Sequence, residues 1–264
     1  MPVYTDQLNR KLDLSSTPRR IISLVPSQTE FLYDIGLRDE VVGITKFCVH
    51  PQEWFRSKPR IGGTKKYDFE KIRALQPDLI IGNKEENEKE QIEELMKEFN
   101  VWMSDIVNLK DALNMMVMLG VLLKKDQQAT EIKLRTEYAF QQFKASAPFV
   151  NMRCAYFIWR APYMVAGENT FINEMLKYCG FENVFGEKGS RYPEVSADDL
   201  RAKDPQLILL SSEPYPFKEQ HIEEFRQICP NAKILTVDGE MFSWYGSRLL
   251  QAPGYFTGLI QSLL

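Results

Sequence analysis

Residues 109–145 contain no proline and a single glycine, Gly120. Ala112, Met116, Leu119 and Leu123 recur at spacings of three and four, and Ile132, Ala139 and Phe143 continue the pattern more loosely. That periodicity predicts an α-helix. At 1.5 Å per residue, about 35 residues would reach about 50 Å, against the usual 10 to 14 residues of a globular helix. The first part is apolar nearly all round and the second is amphipathic. Two readings follow: a long core helix, or a spine crossing from one lobe to another.

Both flanks of this segment alternate strand-like and helix-like stretches. Before it, residues 20–25 (RIISLV) read as a short strand ended by Pro26, with Ser27 or Thr29 as a helix cap and Gly36 as the stop. Residues 41–45, 78–81 and 101–103 read as further strands, with helices over 69–75 and 88–99. After Pro148 the alternation restarts. Strands are expected at 154–158, 207–210 and 233–237, and helices after the caps Thr170 and Ser196, over 221–228, and from 247 onward. Strand, helix, strand in this order argues for parallel sheets with right-handed crossovers. The predicted organisation is an α/β lobe over 1–108, a joining helix over 109–147 and a second α/β lobe over 148–264.

With 264 residues, 44% of them hydrophobic and 26% charged, the chain is long enough for two such lobes. A net charge of −3 gives no electrostatic case for nucleic acid. No run of 18 apolar residues predicts a transmembrane helix. The opening MPVYTDQLNRKLDLSS lacks the apolar core of a signal peptide. The chain is therefore expected in the cytoplasm as it stands, or in the periplasm if a signal was removed before Met1. The cysteines Cys48, Cys154, Cys179 and Cys229 are scattered, which favours reduced thiols over a disulfide framework. A monomer is expected.

In parallel α/β sheets, ligands sit beyond the carboxyl ends of the strands. The loops there read PSQTE, KFCVHP, GGTKKYD and NKEEN in the first half, and WRAPYM, RYPE, SSEPYPF and DGEMFSWYGSR in the second. The second set is rich in rings: Trp159, Tyr163, Tyr192, Tyr215, Phe217, Phe242, Trp244 and Tyr245. Rings make flat apolar walls that suit a large planar or conjugated ligand; alternatively, some pack the loops onto the core.

Cys48 and His50 lie two apart, so an extended loop would point both side chains the same way, as a metal ligand pair requires. The alternative is a buried thiol beside a polar loop histidine. Gly62, Gly63 and Thr64 allow a tight turn and close ligand approach, but neither GxxxxGK[ST] nor GxGxxG is present. Arg160, Arg191 and Arg248 lie beside the rings and could meet ligand carboxylates or phosphates, or form structural ion pairs. Glu85, Glu86, Glu88 and Glu90 form an acidic run that suits a helix N-terminus or a docking patch for a basic partner. With His50 and His221 the two histidines and no GxSxG or HExxH, no catalytic constellation is visible and the chain is not expected to be an enzyme.

RIISLVPSQTEFLYDIGLRDEVVGIT, KPRIGG and FEKIRALQPDLIIG, followed by GENTFINEMLKYCGFENVF and RYPEVSADDLRAKDPQLILL, resemble the helical-backbone substrate-binding proteins of ABC importers for vitamin B12, haem and iron–siderophores. The resemblance runs from about Arg19 to the end and implies two Rossmann-like lobes joined by a single long backbone helix. It implies no intrinsic cofactor and, as ligand, a corrinoid or iron chelate held in the cleft between the lobes. By position, Pro26, Ser27, Phe47, Cys48, His50, Gly63, Thr64, Trp159, Arg160, Tyr163, Phe242, Trp244 and Tyr245 would line it, with Tyr192, Tyr215 and Arg248 from the ring-rich loops. Cys48 and His50 are the candidate metal contacts. Family members dock an ABC permease through one glutamate per lobe; the first falls at Glu86 to Glu90, and the second position is about Ser243. Beside the importer reading stand a cytoplasmic chelate sensor or chaperone, and an enzyme using Cys48 as a thiolate.

Overall fold

The computed structural model describes residues 3–148, 150–187 and 189–264. It divides into two compact units. The first comprises residues up to Ile106, Lys110–Tyr138 and, from the far end of the chain, Tyr245–Leu250; the second comprises Val107–Leu109, Ala139–Trp244 and Gln251–Leu264.

The first unit opens with an antiparallel hairpin that the sequence patterns did not suggest, β1 (Val3–Thr5) with β2 (Lys11–Asp13). The buried Asp6 fixes it: its carboxylate accepts from the Leu8, Arg10 and Met103 amides and pairs with the Arg10 guanidinium. Next come β3 (Ile21–Ser23), α1 (Pro26–Asp34), β4 (Val41–Ile44), α2 (Gln52–Ser57), α3 (Phe69–Leu75), β5 (Leu79–Asn83), α4 (Lys89–Met96) and β6 (Val101–Ser104). The four later strands form one parallel sheet in the order β4-β3-β5-β6. Ile21, Ile22, Leu79, Ile80, Ile81 and Trp102 are buried throughout, the continuous apolar pattern of a parallel sheet covered on both faces. Neither Ser27 nor Thr29 caps α1. The helix begins on Pro26, whose missing N–H suits the first turn, and Thr29 lies inside it, donating to the Val25 carbonyl at 2.8 Å.

The single rod expected over 109–145 is two helices, α5 (Leu109–Leu122) and α6 (Asp126–Ser146). Lys124 between them adopts φ 56°, a left-handed conformation that ends a helix. Gly120 is what lets the second helix start against the first: a Cβ there would lie 2.5 Å from the Ala129 methyl. The break falls where the sequence changes from apolar all round to amphipathic, and that change marks the join of two helices. The residues of α6 belong to the first unit through Tyr138 and to the second from Ala139.

The second unit continues with β7 (Met152–Trp159), β8 (Met164–Val165), α7 (Phe171–Tyr178), β9 (Phe181–Asn183), α8 (Ala197–Lys203), β10 (Leu207–Ser211), α9 (Ile222–Ile228), β11 (Lys233–Val237), α10 (Gly239–Ser243) and α11 (Ala252–Leu263). Its sheet runs β11-β10-β7-β8, with β9 also pairing β7; only β8 is antiparallel. Thr170 and Ser196 cap α7 and α8 as the sequence suggests, and Ser196 forms a reciprocal capping box with Asp199. The helix expected from 247 begins later, at Ala252, after a 3-10 turn over Ser247–Leu250.

Candidate ligand-binding loops

The carboxyl end of the first sheet is a buried polar network. Asn83, the last residue of β5, accepts from the Glu85 and Glu86 amides and donates to Ser104 Oγ at 2.9 Å. Asn87 Oδ1 accepts from the Asn83 amide, and its Nδ2 donates to the Thr64 carbonyl. Gln28 Nε2 donates to the same Ser104 hydroxyl. Sequence reasoning passed over this network, although the Asn-x-x-x-Asn spacing in NKEEN, directly after a buried strand, is the signal: short amides there fold the chain back on its own backbone.

The same scaffold holds the glycine loop. Gly62 has φ 117° and Gly63 donates to the Lys66 carbonyl at 2.9 Å, while the Thr64 carbonyl also accepts the Tyr67 hydroxyl. Burial, together with Glu86 and Glu88, raises the Tyr67 pKa and keeps its phenol protonated. Phe47 lies across Gly63, where a Cβ would come within 3.3 Å of the ring, and the Lys46 ammonium sits 4.9 Å from the ring centre. Half of Phe47 is exposed. A large ring left in water on a rigid loop suits a ligand surface.

Cys48, expected beside His50 as a metal contact, has its thiol turned to two hydroxyls. Its thiol is fully buried and bonded to the Thr29 and Thr45 hydroxyls, each at 3.1 Å, and burial pushes its pKa up. A buried, protonated thiol in that setting is a poor nucleophile; the chain turns at 47–49, with the Val49 amide bonded to the Phe47 carbonyl, so the extended alternation fails. Among the described residues no group of three His, Cys, Asp or Glu side chains is placed to hold a metal ion. Pro26 and Ser27 are buried as well, and the Gly246 backbone packs on the Ser27 carbonyl so closely that a Cβ would lie 2.6 Å away.

Two further candidate residues of this unit have partners within it. Glu86 is a half-buried acceptor for the Tyr245 hydroxyl at 2.7 Å, whereas Glu88 and Glu90 are exposed at the start of α4. Arg248 makes a two-pronged ion pair with Glu30, at 2.8 and 2.6 Å, both side chains being largely buried. A guanidinium so committed is an anchor for Tyr245–Leu250.

In the second unit the rings divide by exposure. Phe242 is core, packed at 5.1 Å from Tyr156 and 4.8 Å from Phe256. Tyr163, Phe217 and Phe225 close around Phe157, with Tyr215 and His221 beside them. Tyr192 is half-buried. Trp159 is the exposed ring, 39% accessible, edge-on to Tyr215 at 5.6 Å. Arg160 donates to Glu224 at 2.8 Å, and the Tyr163 hydroxyl bonds the other oxygen of the same carboxylate. Burial opposes the Glu224 charge, but these two bonds and the Arg160 charge outweigh it and lower the pKa; burial and the same carboxylate push Tyr163 up to about 12. Arg160 is thus paired at home.

Glu213, two residues beyond the carboxyl end of the central strand β10, was not singled out. Its Oε1 accepts Ser243 Oγ and Trp244 Nε1, both at 2.8 Å. Trp244 is buried in making that bond. A separate hollow of about 450 Å³ in the first unit, lined by Gln7, Asp105, Asp111, Asn114, Val117 and Met118, contains none of the residues the sequence singles out.

Comparison with known proteins places this geometry. The model of the family "Periplasmic binding protein" matches residues 21–228. The vitamin B12-binding protein of Pectobacterium carotovorum is 24% identical over 239 residues, covering 89% of this chain and 86% of that one. The haem-binding protein RhuT of Roseiflexus sp. RS-1 superposes with a TM-score of 0.80 at 19% identity, over 92% and 98% of the two chains. The molybdate-binding protein MolA of Haemophilus influenzae superposes with a TM-score of 0.83 at 14% identity, over 100% and 91%. The chain belongs to the periplasmic binding protein family.

Proposed function

We propose that this protein is the binding component of an ABC importer for a metal chelate, a corrinoid or an iron chelate, and that it carries out no chemistry on its cargo. Family membership carries the reading, and relatives named for vitamin B12 and haem narrow the ligand class. Phe47 on a strand-end loop of the first unit and, separately, Trp159 at the end of β7 in the second are rings left in water, each a flat apolar surface of the kind such a ligand needs. The buried, protonated Cys48 supports binding without turnover. The exposed Glu88 and Glu90 are the carboxylates offered to a permease.

Tryptophan fluorescence tests this directly. Trp54 and Trp102 are fully buried and Trp244 nearly so, leaving Trp159 to report a ligand. Titration with cyanocobalamin, haemin and ferric siderophores is expected to give saturable quenching with at least one of them, and Trp159→Phe to lose most of the signal. Flat titrations with all three classes, matched by no retention in equilibrium dialysis, reject the ligand class.

A further inference from the structure

The charge inventory at the carboxyl end of the second sheet bears on which chelate is taken. Glu213 lies two residues past the carboxyl end of β10, an inner strand of that sheet, at the end where ligands approach parallel sheets. Its side chain is held on three sides: Ser243 Oγ and Trp244 Nε1 both donate to Oε1, and the Gly239 backbone is so close that a Cβ there would lie 2.6 Å from Glu213 Cγ. Both donors are neutral. Among the described residues no lysine, arginine or histidine forms an ion pair with it and no donor bonds Oε2. Asp238, nearby at the end of β11, accepts the Glu240 amide and adds a second negative charge. The guanidinium of Arg160, on the loop after β7, is spent on Glu224.

We infer that Glu213 is a specificity-determining residue that selects chelates presenting hydrogen-bond donors, such as amide-bearing corrinoids, over chelates bearing carboxylates. The inference rests on the chelate-binding reading above. A fixed carboxylate with one oxygen not bonded by the described residues rewards an N–H or O–H and repels a carboxylate; like charges brought together at a desolvated contact are a strong means of rejecting the wrong partner.

The corrinoid pair in the test holds ring and metal constant and changes only the periphery, and haemin, with another ring and iron, adds a second carboxylate chelate. Binding of cobyric acid, whose side chains are mostly amides, is compared with cobyrinic acid, the heptacarboxylate of the same cobalt corrin, and with haemin, by dialysis and quenching at pH 8. The amide corrinoid is expected to bind at least about tenfold more tightly than either carboxylate ligand. Glu213→Gln keeps an acceptor for Ser243 and Trp244 while removing the charge, and is expected to close most of that gap by strengthening cobyrinic acid. Ser243→Ala, which removes one anchor and keeps the charge, is expected to leave the gap. Equal affinities in the unaltered protein, preference for haemin, or a gap unchanged in Glu213→Gln overturns the inference while chelate binding stands. No binding by any chelate overturns the chelate reading and the inference with it.

Discussion

The two units frame their strand-end loops by different means. In the first, the loops hang from side-chain hydrogen bonds: Asn83, Asn87, Ser104, Gln28, Thr29 and Thr45 knit the ends of β3, β4, β5 and β6 together. In the second, side-chain bonds such as those of Glu213 are joined by a ring cluster, with Phe225 packed at 4.6 Å from Phe157, 5.3 Å from Tyr163 and 6.0 Å from Phe217. A bond network fixes backbone direction but adds little net stability per contact, because unfolding returns each group to water. A ring cluster contributes much more through burial and tolerates loss of volume poorly. The same parallel α/β frame therefore carries one loop set that is sensitive to polarity and another that is sensitive to volume.

Phe225→Ala should do the greatest damage, about 3–5 kcal/mol in urea unfolding, reported by Trp159 and Trp244 in the second unit; a loss under 1 kcal/mol would remove the ring half of the contrast. Arg248→Met leaves the largely buried Glu30 without its partner and should cost about 2–3 kcal/mol, read through Trp54 and Trp102, with part of the loss recovered when Glu30→Gln is added. Asn83→Ala should cost about 1–3 kcal/mol and release the 84–87 turn, raising amide exchange at Glu85 and Glu86; unchanged exchange would mean that the network does not hold that loop. Cys48→Ala should cost about 1 kcal/mol or less and leave ligand affinity intact, while the native thiol resists iodoacetamide.

The smallest effect concerns acidity. Burial, reinforced by Glu240 and Asp238, raises the Glu213 pKa above that of an ordinary glutamate, while the Ser243 and Trp244 bonds partly oppose the rise. A carboxyl raised on folding adds stability below its unfolded pKa, and that contribution fades as the pH climbs through the folded value. Melts from pH 4 to 8 should thus show Glu213→Gln equal to the unaltered protein in acid and slightly more stable at the alkaline end. The opposite ordering would place Glu213 beside a cation.

Much of the frame was legible because it rests on local chemistry. Thr170 and Ser196 announce α7 and α8 by hydroxyls that satisfy free amides, and unbroken apolar runs such as residues 79–81 announce strands covered on both faces. The loops themselves were located by the strand order alone. Orientation was not legible in the sequence. Whether Phe242 faces the core, whether Arg160 and Arg248 keep a home carboxylate, and whether Cys48 and His50 point together depend on partners tens to hundreds of residues away, such as Glu30 for Arg248. The Leu122–Asp126 break was written in the change of amphipathic pattern, but a continuous helix-forming composition masked it.

The short stretch Tyr245–Leu250 carries one last implication, for the timing of synthesis. It completes the first unit by bringing Arg248 to Glu30, Ser247 to Asp34 and Tyr245 to Glu86. A nascent chain that has emerged only as far as residue 138 holds every strand of its first sheet yet leaves those three carboxylates without these partners. Folding of the first unit is therefore finished by a segment synthesised well after the rest of that unit, and a truncation before residue 245 should be felt in the first unit.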